Sequence, residues 1–233
     1  MYDLARRARL HAAVSDPSRL AIVDDLAASD RAPGELSARL AIGSNLLAHH
    51  LDVLEHAGII QRFTSAGDRR RRYVRLAHDP AVRALAAPVQ PAGELLFVCS
   101  HNSARSQLAA AIWAVRVGTP ASSAGTHPAE RVHPGAISAG AAAGVNLSMA
   151  APREVDRSVL DDPTIQVVTV CDQAHEELTP HDQWWHWSIP DPVAATDADA
   201  FDAVVTEIGL RISSLIDHYP PTAAGHSRTG ASS

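Results

Sequence analysis

LLFVCSHNSARSQLAAA, residues 95–111, runs from an apolar stretch into a cysteine, a short polar loop, an arginine and an alanine-rich segment. ELLFV, Glu94 to Val98, reads as a strand buried on both faces, as in parallel sheets. The segment from Ser106 to Val117 reads as a helix that stops at Gly118. A strand end feeding a helix N-terminus is an anion site, because unpaired N–H groups and the helix dipole both point there. Five residues, Ser100, His101, Asn102, Ser103 and Ala104, separate Cys99 from Arg105. Their amides can curl round a tetrahedral oxyanion, with Arg105 closing the ring as a two-pronged donor. The same field favours the thiolate of Cys99 and makes it a nucleophile. Ser106 is placed to donate to that thiolate, and Asn102, which tolerates left-handed backbone, suits the middle of the loop. A lone cysteine is more often a buried core residue, but the strand–loop–helix setting favours the anion site.

Outward from this segment, strand and helix signals keep alternating. HPGAISAGAAAGV (133–145) reads as a helix, IQVVTV (165–170) as a buried strand and WWHWSI (184–189) as a last strand. DADAFDAVVTEIGLRISSLIDHY (197–219) is a long amphipathic closing helix. The pattern predicts an α/β doubly wound parallel sheet over residues 95–219. Residues 220–233 hold little to bury and predict a disordered tail.

AAPVQPAGE (86–94), with two prolines and a glycine, is the expected linker. Before it come four helical patterns, in DLARRARLHAAV, SRLAIVDDLAA, APGELSARLAI and GSNLLAHHLDVLEHAG. Asp16 is the expected N-cap of the second, Pro33 opens the third, and Gly58 stops the fourth, which carries Leu47, Leu51 and Leu54 on one stripe. IIQRFT, the turn SAGD and RRRRYVRL then alternate as a hairpin. Helices followed by a basic hairpin make a winged helix-turn-helix over residues 1–85, mostly α with a β-wing.

Charge is unevenly shared. All 20 basic residues are arginines; residues 1–90 hold 13 of them against 10 acids, and residues 91–233 hold 7 against 16. A net +3 beside a net −9 suggests that only the first half meets a polyanion. Ser44, Asn45, His49 and His50 on the fourth helix are expected near the DNA major groove, and Arg69, Arg70, Arg71 and Arg72 on phosphates. Hydrophobic residues make up 46% of the 233, and the two cysteines are too few for a disulfide scaffold. With no membrane span or secretion signal expected, the reading is a cytoplasmic, reduced protein. The 13 histidines show no trusted metal spacing, so no metal and no bound cofactor is expected.

SDPSRLAIVDDL and LLAHHLDVLEHAGII resemble the opening helix and the recognition helix of the ArsR/SmtB family of dimeric repressors. That resemblance implies a homodimer, formed through the N-terminal domain, on operator DNA. ArsR-type arsenite sensors hold cysteines in or near this domain, whereas residues 1–90 contain none. Residues 94–219 resemble the low-molecular-weight protein tyrosine phosphatase superfamily, which includes thiol-coupled arsenate reductases. SAGTHPAERVHPGAISAGAAAGVNLS and SIPDP carry the likeness beyond the cysteine loop. It implies that Asp191, before Pro192, is the general acid and that arsenate or phosphate is the oxyanion.

RSQ in place of the phosphatases' usual RSP, Val193 after Asp-Pro, and Cys171 at the place of a second redox cysteine all favour a reductase. Cys171 would attack the cysteine–arsenic adduct; the plainer reading is a core cysteine capping a strand. Leu178 stands where the thioredoxin-coupled enzymes have a third cysteine, so electrons must come from outside, from mycothiol, glutathione or a thioredoxin system. His101 stands where many relatives have glycine. Two other readings stay open: a phosphatase fused to a DNA-binding domain, and a transcription factor whose second domain only senses an oxyanion.

Overall fold

The computed structural model describes residues 3–197 and 199–216; the expected tail at 220–233 and the last turn of the closing helix lie outside them. The first part is built as its patterns predict. α1 (Leu4–Ala13) is capped by Asp3, and α2 (Pro17–Asp25) by Asp16, whose carboxylate accepts from the amides of Ser18 and Arg19. α3 (Pro33–Leu40) and α4 (Ser44–His56) form the helix-turn-helix. Ala41 turns the corner in left-handed backbone, φ 52°, and Ser37 donates to the carbonyl of Ile42 at 2.6 Å. Gly58, at φ 73°, lets the chain leave α4 for β1 (Ile60–Thr64), which pairs antiparallel with β2 (Arg72–Leu76). A short helix, α5 (Pro80–Arg83), follows.

The second part is a four-stranded, all-parallel sheet in the order β4-β3-β5-β6. Its strands are β3 (Glu94–Cys99), β4 (Ala121–Gly125), β5 (Ile165–Thr169) and β6 (Trp185–His186). α6 (Arg105–Val117) ends at Gly118, φ 78°, and packs with α7 (Pro134–Ala142) and α9 (Ala200–Ile216). α8 (Asp172–Leu178), which no sequence pattern announced, packs on β3 and β5. Among the described residues no helix is long and apolar enough to cross a membrane.

Residues 28–31 join the two parts. Arg31 exchanges both backbone bonds with Val74 of β2, at 3.0 and 2.8 Å. On the other side the Asp30 amide donates to the carbonyl of His186 at 2.7 Å, and the His186 amide to Ser29 Oγ at 2.8 Å. The edge of β6 is thereby covered, the usual fate of a sheet edge that does not aggregate. Asp30 is 2% exposed and takes a two-pronged pair from Arg211 of α9, at 3.0 and 2.8 Å, and the Ser188 amide at 2.8 Å. Glu207 gathers Arg211, Arg75 and His78 around one oxygen. Burial alone would raise its carboxyl, but His78 and Arg211 outweigh that and hold it well below the usual range. The expected linker is itself packed, with Val89 on the second core and the Ala87 amide on Asp24.

Deeper in the interface His175 and His186 stack, centroids 4.0 Å apart. Thr169 Oγ1 touches Nδ1 of both, at 2.8 and 3.0 Å, and His186 Nε2 meets Asp172 at 3.0 Å. Thr169 Oγ1 also reaches the carbonyl of Trp185 at 3.3 Å, and His175 Nε2 lies 3.5 Å from Glu35 Oε1. Burial, with His186 beside it, pushes His175 down to about 4 although Glu35 pulls the other way. Burial works to raise Asp172, but the His186 contact, Ser188 and the Ala66 amide hold it down to about 2.

Both groups bind fewer protons folded than unfolded. His175 therefore contributes stability that is present above about 6.5 and lost as the pH falls toward 4; Asp172 loses its share below about 3.8. Melting temperature is expected to fall between pH 6.5 and pH 4, and His175→Gln to flatten that limb. Melts recorded across the range check it. Asp30→Ala, which leaves Arg211 short of its buried partner, is expected to cost about 3 kcal/mol, read by denaturant unfolding at pH 7.

Candidate active site and DNA-facing surface

The loop Ser100–Ala104 is turned inside out by its neighbour. The carbonyls of Cys99, Ser100, His101 and Ser103 point outward and accept from the amides of Thr126, His127, Ala129 and His133, at 3.2, 2.8, 2.9 and 2.8 Å. With the carbonyls held outside, the peptide N–H groups face the middle of the loop, beside the unpaired first-turn amides of α6. Asn102 sits at φ 47° and is locked on four sides. Its Nδ2 donates to Ser106 Oγ at 2.8 Å and Ser123 Oγ at 3.0 Å; its Oδ1 accepts from Gln107 at 3.1 Å and from the Arg153 amide at 2.9 Å. His101 is not among the positive-φ residues, so the glycine of relatives is not needed there; its Nδ1 touches the carbonyl of His127.

Cys99 lies 2% exposed at the bottom, with Ser106 Oγ at 3.0 Å and the Asn102 amide donating at 3.2 Å. Both groups can donate a hydrogen bond to the sulfur. Arg105 is aimed by the SIPDP segment: it donates to the carbonyl of Ile189 at 3.0 Å and meets Asp191 at 3.3 Å. Cys99, Arg105 and Asp191 line one open cavity of about 700 Å³, with Arg131, His133 and Val193 at its walls.

Cys171 lies just past β5, 1% exposed, its thiol 3.4 Å from Ser100 Oγ and accepting the Ala174 amide as N-cap of α8. Burial pushes this thiol up, against the pull of Arg105. The structure therefore gathers Cys99, Ser106, Arg105, Asp191 and Cys171 around one loop. Sequence reasoning missed Ser123 and Arg153, which hold Asn102 from 21 and 51 positions away, and read Gln107 only as part of RSQ.

The residues expected to face DNA lie apart from this cavity. Ser44, Asn45 and His49 are exposed on α4, and Arg69, Arg70, Arg71 and Arg72 are exposed on the hairpin, with Arg70 paired to Asp68. His50 corrects the expectation. It is 4% exposed and belongs to the buried face with Leu47, Leu51 and Leu54, because three- and four-residue steps along α4 bring it round to that stripe.

Comparison with known proteins agrees with this division. Residues 94–219 match the Low molecular weight phosphotyrosine protein phosphatase family, and residues 14–62 a Helix-turn-helix domain. No curated protein matches the chain. Similar solved structures include a thioredoxin-dependent arsenate reductase of Corynebacterium glutamicum, 26% identical, TM-score 0.44, covering 55% of this chain and 62% of that one. An arsenate reductase of Archaeoglobus fulgidus is 31% identical, TM-score 0.44, over 53% of this chain and 99% of its own. A low-molecular-weight protein tyrosine phosphatase of T. tengcongensis is 20% identical, TM-score 0.47, over 54% and 98%.

Gly125 is where this site is most easily broken. A Cβ there would meet Ser100 O at 2.7 Å and the Asn102 amide at 2.9 Å. Gly125→Ala is expected to weaken phosphate protection of Cys99 from alkylation by at least about tenfold while leaving the sheet intact, checked by iodoacetamide kinetics beside circular dichroism.

Proposed function

The chain belongs, through residues 94–219, to the low-molecular-weight phosphotyrosine protein phosphatase family, and from that premise we propose a thiol-dependent arsenate reductase fused to an ArsR-like repressor. One observation supports the reductase above all: a second buried thiol, Cys171, 3.4 Å from Ser100 Oγ of the nucleophile's loop. Hydrolysis of a phosphoester uses no second thiol, whereas reduction does.

In this reading the Cys99 thiolate attacks arsenate, forming an S–As bond. Arg105 and the inward amides carry the charge of the oxygens, and Asp191 protonates the hydroxide that leaves as water. Cys171, as thiolate, then attacks Cys99 Sγ. The S–S bond forms, the S–As bond breaks, and its electron pair stays on arsenic, which leaves as arsenite. Two thiols lose the two electrons that arsenic gains. An external thiol, small or thioredoxin-like, reduces the disulfide and restarts the cycle.

A phosphatase is the second reading, and the cavity favours it: about 700 Å³ is far more than a bare oxyanion fills. The first half is proposed to bind operator DNA as a homodimer through α4 and the hairpin.

Cys171→Ser is expected to stop arsenite production with every thiol donor while leaving any p-nitrophenyl phosphate hydrolysis intact. Undiminished arsenite production would make Cys171 a core residue. Replacing Arg70 and Arg71 together by alanine is expected to weaken DNA binding on all sequences and flatten the slope of log affinity against log salt by up to about 1.8.

A further inference from the structure

The tip of the basic hairpin does not project freely. Glu176 accepts from Ser65 Oγ at 2.8 Å, the Asp68 amide at 2.9 Å and Tyr73 Oη at 3.2 Å. Asp172 accepts from the Ala66 amide at 2.6 Å. Between them Gly67 lies so close to α8 that a Cβ would meet Glu176 Oε2 at 2.8 Å and the Gln173 amide at 3.1 Å. Both carboxylates belong to α8, a helix of seven residues whose N-cap is Cys171. The second thiol of the site and the clamp on the wing are thus parts of one short helix.

We propose that α8 couples the oxidation state of the Cys99–Cys171 pair to the wing, so that the disulfide releases the hairpin tip and lowers affinity for DNA. The proposal rests on the resolving role assigned above to Cys171. In this coupling the Cys171 thiol leaves Ser100 and the Ala174 amide to bond Cys99 at a sulfur–sulfur distance of about 2.05 Å. That removes the cap of α8 and draws Asp172, its immediate neighbour, away from Ala66. With thiols reduced, the clamp holds the hairpin in one geometry with Arg69 to Arg72 facing solvent. Once it opens, DNA must order the hairpin itself, and binding weakens by that amount. Disulfide reduction by an external thiol closes the clamp again.

The test uses the full-length chain, reduced or oxidised anaerobically with diamide, with the intramolecular disulfide verified by mass spectrometry. Hydrogen–deuterium exchange is read at residues 65–73 and 172–178. Anisotropy is read on a duplex selected from a random-sequence pool by the reduced chain. Oxidation is expected to speed exchange in both segments, to weaken DNA binding about tenfold, and to be reversed by dithiothreitol. Glu176→Ala is expected to show fast hairpin exchange and the weaker binding already in the reduced form, and Cys171→Ser to ignore diamide. A verified disulfide with unchanged exchange at residues 65–73 overturns the coupling, and so does the failure of diamide to join the two thiols. If arsenate leaves the thiols reduced while diamide opens the hairpin, the coupling stands and the reductase reading fails.

Discussion

The architecture depends on a carboxylate and a guanidinium that meet where neither could stand alone. Asp30 and Arg211 are both withdrawn from water, and each has its remaining polar atoms taken up by Ser188 and Glu207. A buried charge without its partner is strongly unfavourable. The pair therefore dictates that residues 28–31 lie between β2 and β6. Everything else at the boundary follows from that placement, from the covered sheet edge to the stacked histidines. The helix-turn-helix and the parallel sheet are two cores, yet Ala28 of the first part packs within the second.

At the cysteine loop the governing constraint is which way the peptides face. Four outward carbonyls, each held by an amide of residues 126–133, leave the inward side to N–H groups. The side chain of Asn102 fixes the one left-handed residue by which the loop can close. The face the loop presents is thus a property of backbone orientation, with the guanidinium of Arg105, fixed by Ile189 and Asp191, beside it.

Much of this was legible in the residues. Apolar runs and glycine stops marked most elements, because Gly58 and Gly118 sit where only a left-handed turn continues the chain. The spacing of Cys99 and Arg105 was enough to mark the loop whose carbonyls turn outward. The helix α8 was not legible: DQAHEEL is short and its cap is a cysteine, outside the usual capping residues. His50 was misread on residue type, although its step from Leu47 and to Leu54 already placed it on the buried stripe. The contact between the two parts left no local trace, since Asp30 and Arg211 stand 181 positions apart.

That separation has a consequence for biosynthesis. The ribosome completes the helix-turn-helix and its hairpin long before it reaches Arg211 near the end of α9. Until then Asp30 stays hydrated and the edge offered to β6 is open. The nascent amino-terminal half can gather its own apolar core, but the seam beside the hairpin matures only after translation of the last helix. Prematurely terminated products would thus carry an unsealed strand edge, open to pairing with other chains.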